Sequence, residues 1–266
     1  MSFPTPVLEL SGVTMRFGGV TAIDDLSLSV PPKKVVGLIG PNGAGKTTVF
    51  NVVTGFYRPQ AGRVEFDGRP LDGLPPQKIC ALGIARTFQN IRLFAGGTVL
   101  DNVMVGCHVR RKAQWWMAPL CLPLFLREEK EIREKSYGLL ERVGLAQVAR
   151  EKANSLPYGA QRRLEIARAL ATEPSFLLLD EPAAGMNPQE SEELMRFIAK
   201  IRQDFDLSIL MIEHDMKVVM GVCSHIWVLE YGRLIAEGGP AEIRSNPKVI
   251  TAYLGQQAEG GSHGKL

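Results

Sequence analysis

The stretch Gly40-Pro41-Asn42-Gly43-Ala44-Gly45-Lys46-Thr47 decides the fold, because it matches the pattern G-x-x-x-x-G-K-[ST]. It follows the apolar run Val35–Ile39, typical of a strand buried on both faces, and it precedes a predicted helix over Thr48–Thr54. The glycines let successive backbone N–H groups turn toward phosphate oxygens, and a helix N-terminus adds partial positive charge. We therefore predict a phosphate-binding loop in which Lys46 reaches the β- and γ-phosphates of a nucleotide and the Thr47 hydroxyl binds Mg²⁺.

Length and composition are those of a soluble globular protein with one large domain. The chain has 266 residues, of which 45% are hydrophobic and 22% are charged. The net charge of +3 is too small and too dispersed to indicate nucleic acid as a partner. The four cysteines form no C-x-x-C pair, which predicts buried or incidental thiols. The N-terminus resembles no signal peptide, and the longest apolar run, Trp115–Leu126, is shorter than the roughly twenty residues of a membrane span.

Buried strands that alternate with helices predict a parallel α/β sheet. Two more apolar runs, Phe176–Leu179 and Ser208–Ile212, flank a helical pattern that opens with Asn187 as N-cap and Pro188 in the first turn. Further strands are predicted over Val7–Ser11 and Leu26–Val30. Few strand-like runs occur from about residue 86 to 170, which predicts an inserted helical subdomain. The predicted domain is 1–255, and the glycine-rich tail 256–266 is predicted to be flexible.

Polar residues follow two of these strands at the edge where ligands collect in parallel sheets. Asp180 and Glu181 end one strand, so Asp180 is placed to hold Mg²⁺ and Glu181 to polarise an attacking water. His214 follows the next strand and is predicted to contact the γ-phosphate. Taken alone, the two acids could be solvated and His214 incidental; the phosphate loop favours the functional interpretation.

The order of these motifs resembles that of an ABC transporter ATPase over nearly the whole chain, from Val7 to Leu254. Between the phosphate loop and Asp180 stand Gln89 and the segment 156–163, Leu-Pro-Tyr-Gly-Ala-Gln-Arg-Arg. Closer features resemble the larger ATP-binding subunit of branched-chain amino acid importers. They are Arg16-Phe17-Gly18-Gly19, Gly55-Phe56-Tyr57, Arg86-Thr87-Phe88-Gln89, the helix 162–168 and Ile212-Glu213-His214-Asp215-Met216.

The resemblance implies a P-loop α/β core with an antiparallel β edge and a helical subdomain, ATP and Mg²⁺ as cofactors, and ATP hydrolysis as the activity. It implies catalytic roles for Glu181, His214 and Gln89, and metal contacts for Thr47, Gln89 and Asp180. Phe17 matches the aromatic that stacks on adenine; the alternative, less favoured, is a core phenylalanine. The nucleotide contacts implied within the phosphate loop and the signature are Asn42, Gly43, Ala44, Gly45, Lys46, Thr47, Thr48, Pro157, Tyr158 and Gly159.

The implied partners are two membrane permease subunits, a second ATP-binding subunit and, indirectly, a periplasmic substrate-binding protein. The implied location is the cytoplasmic face of the inner membrane, and the implied role is to power branched-chain amino acid uptake. One alternative is an ATPase of another ABC transporter, such as the lipopolysaccharide extractor. A more distant alternative is a P-loop NTPase outside transport, either a nucleotide kinase or a GTPase, but no N-K-x-D guanine motif occurs.

Two departures from the family pattern matter, one in the signature and one in the turn that follows Glu181. Pro157 replaces the serine and Ala160 the glutamine of the usual L-S-G-G-Q signature, while Gly159 is retained. Asn187 stands at a usual aspartate position and could serve only as a helix cap. The departures predict a weak signature contact and leave homo- and heterodimers open. The apolar segment Trp115–Leu126 is interpreted either as packing on the helical subdomain or as a contact surface.

Overall fold

The computed structural model describes residues 7–110 and 123–260. Its strands are β1 (Leu8–Phe17), β2 (Val20–Val30), β3 (Val35–Ile39), β4 (Ala61–Phe66), β5 (Arg69–Pro70), β6 (Ile84–Arg86), β7 (Phe176–Asp180), β8 (Ser208–Ile212), β9 (His225–Glu230) and β10 (Arg233–Gly238). Its helices are α1 (Lys46–Val53), α2 (Pro76–Leu82), α3 (Val99–Cys107), α4 (Pro123–Arg142), α5 (Tyr158–Leu170), α6 (Pro188–Asp204), α7 (Met216–Val222), α8 (Pro240–Ser245) and α9 (Pro247–Gly260). None of the helices in these two described ranges is both long and apolar enough to span a membrane.

The strands form two sheets. The larger has the order β10-β9-β3-β8-β7-β6, parallel from β9 to β6, with β10 antiparallel at its edge. The smaller, β2-β1-β4-β5, is antiparallel. This confirms the predicted α/β core with an antiparallel edge.

The central strands are buried on both faces, as their continuous apolar runs predicted. Val35 and Ile39 of β3 face a core shared with the helices, whereas Val36 and Leu38 face a core shared with the small sheet and α1. Every residue of β3, β7 and β8 is buried. The carboxyl ends of these three strands therefore meet at one protected edge of the sheet.

The first two strands are longer than predicted, because irregularities interrupt their alternation. β1 continues past residue 11 to Phe17, and β2 begins at Val20 rather than at residue 26. The register between them shifts between Leu10 and Val13, where Gly12 has a φ of 61°, and again between Val13 and Met15, where Asp25 of β2 has a φ of 51°. A bulge reverses which face each following residue occupies, so a period-two pattern ends there although the strand continues.

The middle of the chain is helical in the part described, as predicted. Between β6 and β7 the described residues contain α3, α4, α5 and short 3-10 turns. Residues 115–122 of the apolar segment Trp115–Leu126 lie outside the described residues, and its remaining residues begin α4. At the other end, α9 runs to residue 260, so the first five residues of the predicted flexible tail are helical, and 261–266 lie outside the described residues.

Candidate nucleotide site

The loop between β3 and α1 has the backbone conformation that its glycines predict. Gly40, Gly43 and Gly45 have φ angles of 150°, 78° and 99°. A Cβ at Gly40 would lie 2.1 Å from the Leu229 carbonyl oxygen, and one at Gly45 would lie 2.3 Å from that of Ala22. A Cβ at Gly43 would meet nothing within 4 Å. The outer glycines are therefore needed for packing, whereas Gly43 faces open space where a ligand could approach.

Lys46 opens α1 and holds this loop together. Its buried ammonium donates hydrogen bonds to the carbonyl oxygens of Gly40 (2.7 Å) and Pro41 (2.8 Å). Burial lowers the pKa of Lys46, and the nearby carboxylates of Glu181 and Asp180 oppose that shift. The loop is thus arranged around a largely desolvated cation, a favourable environment for a phosphate.

The remaining loop residues differ in exposure. Asn42, Gly43 and Thr47 are exposed, Thr48 is half-buried, and Ala44 is buried. The backbone N–H of Ala44 donates to the Pro41 carbonyl oxygen at 3.2 Å, and its carbonyl accepts the N–H of Gly232 at 3.0 Å. Ala44 therefore fastens the loop to the β9–β10 hairpin.

Asp180 lies at the end of β7, paired with a residue that sequence reasoning had not assigned. Its Oδ2 accepts a hydrogen bond from Arg86 Nη2 at 2.9 Å, and both side chains are buried. Arg86 also donates to Asn51 Oδ1 of α1 at 2.7 Å. The only available signal was the position of Arg86 in the Arg-Thr-Phe-Gln motif. The pair orients the Asp180 carboxylate and ties β6, β7 and α1 together.

Glu181, Gln89 and His214 lie close together. Gln89 Nε2 donates to Glu181 Oε2 at 2.8 Å, and His214 Nδ1 lies 3.8 Å from the same oxygen. Glu181 has a φ of 46°, in the left-handed region that non-glycine residues rarely adopt. Such strain persists only where the surrounding structure imposes it, and it is found most often at functional sites.

Glu213, just before His214, contacts the backbone next to this cluster. Its buried carboxylate accepts hydrogen bonds from the backbone N–H groups of Ala183 (2.8 Å) and His214 (3.3 Å). Burial raises the pKa of Glu213, although the hydrogen bond from Ala183 opposes the shift. Glu213 thus joins the loops that follow β7 and β8.

The signature residues Pro157, Tyr158 and Gly159 form the start of α5. Pro157 is the N-cap and supplies no capping side chain. Tyr158 donates through its hydroxyl to the Ala184 carbonyl oxygen at 2.9 Å. The signature thus contacts the segment after Glu181 of its own chain.

Phe17 is half-exposed at the end of β1, not a core residue. Its ring meets Tyr57 edge-on, with centroids 5.0 Å apart. The preceding residue, Arg16, exchanges two backbone hydrogen bonds with the Gln60 side chain, at 2.9 and 3.1 Å. The backbone at Phe17 is therefore fixed while its ring remains accessible.

The predicted metal ligands fit Mg²⁺ in their chemistry. Thr47, Asp180 and Gln89 supply oxygen donors, which Mg²⁺ prefers, and it commonly takes few protein ligands and completes its shell with water and phosphate. Within residues 7–110 and 123–260, no three His, Cys, Asp or Glu side chains form a metal-binding group.

Asn187 caps α6, and it does so reciprocally. Its side chain accepts the Glu190 N–H at 2.9 Å, and the Glu190 carboxylate accepts the Asn187 N–H at 3.1 Å. The capping interpretation of Asn187 is therefore confirmed.

Comparison with known proteins gives two family matches. The model for "ABC transporter" matches residues 23–184, and that for "Branched-chain amino acid ATP-binding cassette transporter" matches residues 233–259. Together they cover most of the two sheets and the C-terminal helices.

Curated relatives match along nearly the whole chain. The high-affinity branched-chain amino acid transport ATP-binding protein BraF of Pseudomonas aeruginosa is 49% identical over 94% of this chain and 98% of its own. The corresponding LivG protein of Escherichia coli K12 is 48% identical with the same coverage.

Solved structures share the fold. The ADP conformation of MJ1267, an ATP-binding cassette of an ABC transporter, has a TM-score of 0.83 at 31% identity and covers 94% of this chain and 99% of its own. CbiO1 of Clostridium perfringens, part of the CbiONQ complex, has a TM-score of 0.79 at 26% identity, with coverages of 96% and 97%.

Proposed function

The chain belongs to the ABC transporter family of ATP-binding proteins, and from this premise we propose that it hydrolyses ATP to power an importer of branched-chain amino acids. The observation that carries the proposal is the Glu181 carboxylate, held by Gln89 beside His214 and next to the glycine loop of Lys46. The C-terminal match at residues 233–259 favours leucine, isoleucine and valine over the lipopolysaccharide alternative.

Nucleotide binding is assigned to the glycine loop and Phe17. The ammonium of Lys46 exchanges its carbonyl contacts for the β- and γ-phosphates, while the backbone N–H groups from Asn42 to Thr48 surround the phosphate oxygens. The exposed ring of Phe17 stacks on adenine. Thr47, Asp180 and Gln89 would hold Mg²⁺, which would supply positive charge to offset that of the phosphates.

Hydrolysis is assigned to the residues at the ends of β7 and β8. Glu181 accepts a proton from the attacking water, and His214 contacts the γ-phosphate. Arg86 keeps Asp180 oriented, and Glu213 holds the backbone of His214 in place. Catalysis of this kind is positioning and charge stabilisation, which requires fixed donors rather than covalent chemistry.

A second ATP-binding subunit completes each site. The start of α5, with Pro157, Tyr158 and Gly159, offers its N-terminal N–H groups to a nucleotide held by the partner, and the partner does the same for the nucleotide at Lys46. Two such chains enclose two ATP molecules, as the family resemblance implies.

Permease docking is assigned to an apolar groove between the α/β core and the helical subdomain. The groove has a volume of about 390 Å³, and Phe56, Phe94 and Val105 contribute exposed apolar side chains to it. Arg86 and Glu165 also line it, so an occupant would lie close to the Gln89 loop. A cytoplasmic helix from one permease subunit docks in this groove, and the second permease subunit docks in the same way on the second ATP-binding subunit. This contact holds the chain at the inner face of the membrane. The periplasmic binding protein acts on the chain only indirectly, through the permease.

Solute uptake tests the proposed transport role. In cells lacking this chain, uptake of labelled leucine, isoleucine and valine should fall, and the intact chain should restore it. Glu181→Gln should not restore it, whereas the matched surface variant Glu192→Gln should. Unchanged leucine uptake in the deletion strain would refute the assigned solute.

The groove can be tested separately from the ATP site. Val105→Lys should lower leucine uptake, because it places a charge where the apolar helix docks. Val109→Lys is the matched control, since Val109 is equally exposed (42% for each) but does not line the groove. Equal uptake by the two variants would contradict docking at this groove.

A further inference from the structure

Tyr158 is the first residue of α5 and stands where the usual signature has its first glycine. Its ring is 41% exposed, yet its hydroxyl is fully engaged. It donates a hydrogen bond to the Ala184 carbonyl oxygen (2.9 Å) and accepts one from Arg162 Nη2 (3.3 Å). A side chain at this position therefore forms a bridge that a glycine could not.

Arg162 carries the bridge to the Gln89 loop. Its buried guanidinium donates to the backbone carbonyl oxygens of Phe88 (2.8 Å) and Gln89 (2.9 Å) and pairs with Glu165 at 2.8 Å. Glu165 in turn accepts the backbone N–H groups of Phe88 (3.4 Å) and Arg92 (3.5 Å). Side chains from one turn of α5 thus form hydrogen bonds with both the carbonyl oxygens and the N–H groups of the loop backbone.

These contacts close into a ring that begins and ends at Gln89. The Gln89 side chain donates to Glu181, and the Glu181 carbonyl accepts the Ala184 N–H at 3.1 Å. The Ala184 carbonyl accepts the Tyr158 hydroxyl, which accepts Arg162, which donates to the Gln89 carbonyl. A displacement at any member must be accommodated by the others.

We propose that Tyr158 is a positioning residue that couples the Gln89 loop to the signature of the same chain. The proposal rests on the proposed function, in which Gln89 faces the nucleotide at Lys46 and the start of α5 faces the nucleotide of the partner. When nucleotide binds at Gln89 in one site, the displacement of the Gln89 loop is then passed through the ring to the start of α5. The backbone N–H groups there are the ones that the chain offers to the other site.

Amide hydrogen exchange of the nucleotide-free chain tests the ring directly. Tyr158→Phe removes only the hydroxyl from a partly exposed side chain. The variant loses both hydrogen bonds of the hydroxyl, the neutral one to Ala184 and the charge-assisted one from Arg162. This loss should accelerate exchange at least about two- to tenfold, provided that local opening controls it. We expect this acceleration at residues 184–186, which the hydroxyl contacts directly, and also at 88–92, which it reaches only through other members of the ring.

Tyr137→Phe is the matched control, since Tyr137 on α4 is similarly exposed (44%) and lies outside the ring. It should leave exchange at both segments unchanged. Acceleration at 184–186 alone would show that the hydroxyl stabilises only its direct contact with Ala184, and it would overturn the proposed coupling. Unchanged exchange at both segments, or uniform acceleration over the whole chain, would overturn it as well.

A kinetic measurement separates positioning from general stability. Tyr158→Phe should lower ATP turnover of the assembled dimer about two- to tenfold while KM for ATP stays within about twofold, because the phosphate loop is untouched. A raised KM with unchanged turnover would contradict the proposal. Since the exchange experiment needs no nucleotide, failure of the ring remains distinguishable from failure of the ATPase assignment, which wild-type hydrolysis tests by itself.

Discussion

Two helices of the molecule begin where a phosphate is expected, and they are prepared for it in different ways. α1 follows three glycines with positive φ and opens with a buried lysine that already spans the loop. α5 follows Pro157, which supplies neither a capping hydroxyl nor an N–H, and its first side chains contact their own chain. We call the loop and helix at Lys46 the α1 half of the site, and the helix start at Tyr158 the α5 half. Under the proposed function, the α1 half would bind nucleotide by itself, whereas the α5 half would contribute only a helix N-terminus and would depend on the approach of a partner.

Lys46→Ala should give the largest effect of these variants, a loss of nucleotide affinity in the α1 half. Removing the cation leaves charged phosphates without their main partner, a loss of about 2–5 kcal/mol in binding free energy. Calorimetry with MgATP should therefore show weakening of up to several thousandfold, whereas the exposed Lys78→Ala on α2 should bind normally. Unchanged affinity in Lys46→Ala would show that the α1 half does not hold the nucleotide.

Glu181→Gln should slow turnover by around 10²-fold or more while ATP still binds, because an amide cannot accept the proton from water. Gel filtration with ATP should then detect a trapped dimer. Such a dimer is expected only if the α5 half of each chain contacts the nucleotide held by its partner. Rapid hydrolysis by this variant would move the proton acceptor elsewhere, with His214 the next candidate.

Pro157→Ser should raise the ATPase rate of the isolated chain about tenfold if the weak signature limits it, since a hydrogen bond to a charged phosphate is worth about 1.5–3 kcal/mol. Stability should change little, because a serine cap gains about 1 kcal/mol while the loss of proline costs about 0.4–1 kcal/mol. Pro157 is a cleaner site for this change than Ala160, which packs against the core.

Pro240→Ser, at the start of α8, controls for the removal of a proline from a helix start. It should leave the ATPase rate unchanged. If Pro157→Ser also leaves the ATPase rate unchanged although dimerisation is confirmed, the missing hydroxyl is not what weakens the α5 half.

Glu213→Gln should give the smallest effect, on the pH dependence of stability. Burial raises the Glu213 pKa above its ordinary 4.5, so the native state retains a proton that the unfolded state releases. Stability is fully present below the ordinary pKa and is lost as pH rises through the raised one. Urea unfolding at a series of pH values from about 4 upward should show this loss of stability in the wild type and not in the glutamine variant, which has no carboxyl group to titrate. Parallel pH profiles in the two proteins would contradict it.

The sequence predicted the α1 half closely because its chemistry is local. The run before Gly40, the glycines and Lys46 are contiguous, so both the strand β3 and the loop could be assigned from spacing alone. The parallel strands β7 and β8 were predicted for the same reason, and with them the meeting of Asp180, Glu181 and His214.

Long-range contacts could not be predicted. The Arg86 partner of Asp180 is 94 residues away in sequence, and the Arg162 contacts with the Gln89 loop span 73. Buried charges reveal their partners only in the folded chain, because any exposed arginine gives the same sequence signal. The strands β4, β5, β6, β9 and β10 were not assigned from sequence. β5 and β6 have two and three residues, and β10 lies at a sheet edge, so their apolar patterns are weak. β9 is an inner strand, and its apolar run over 226–229 is a signal that could have predicted it.

The left-handed backbone at Glu181 has an evolutionary consequence. A non-glycine residue in that conformation costs about 1–2 kcal/mol, so glycine at position 181 would relieve the strain while removing the carboxylate. Selection for activity alone keeps glutamate there. A descendant freed from that selection is expected to drift toward glycine or asparagine at this position and to become a more stable protein that no longer turns over, which would mark decayed copies in a genome.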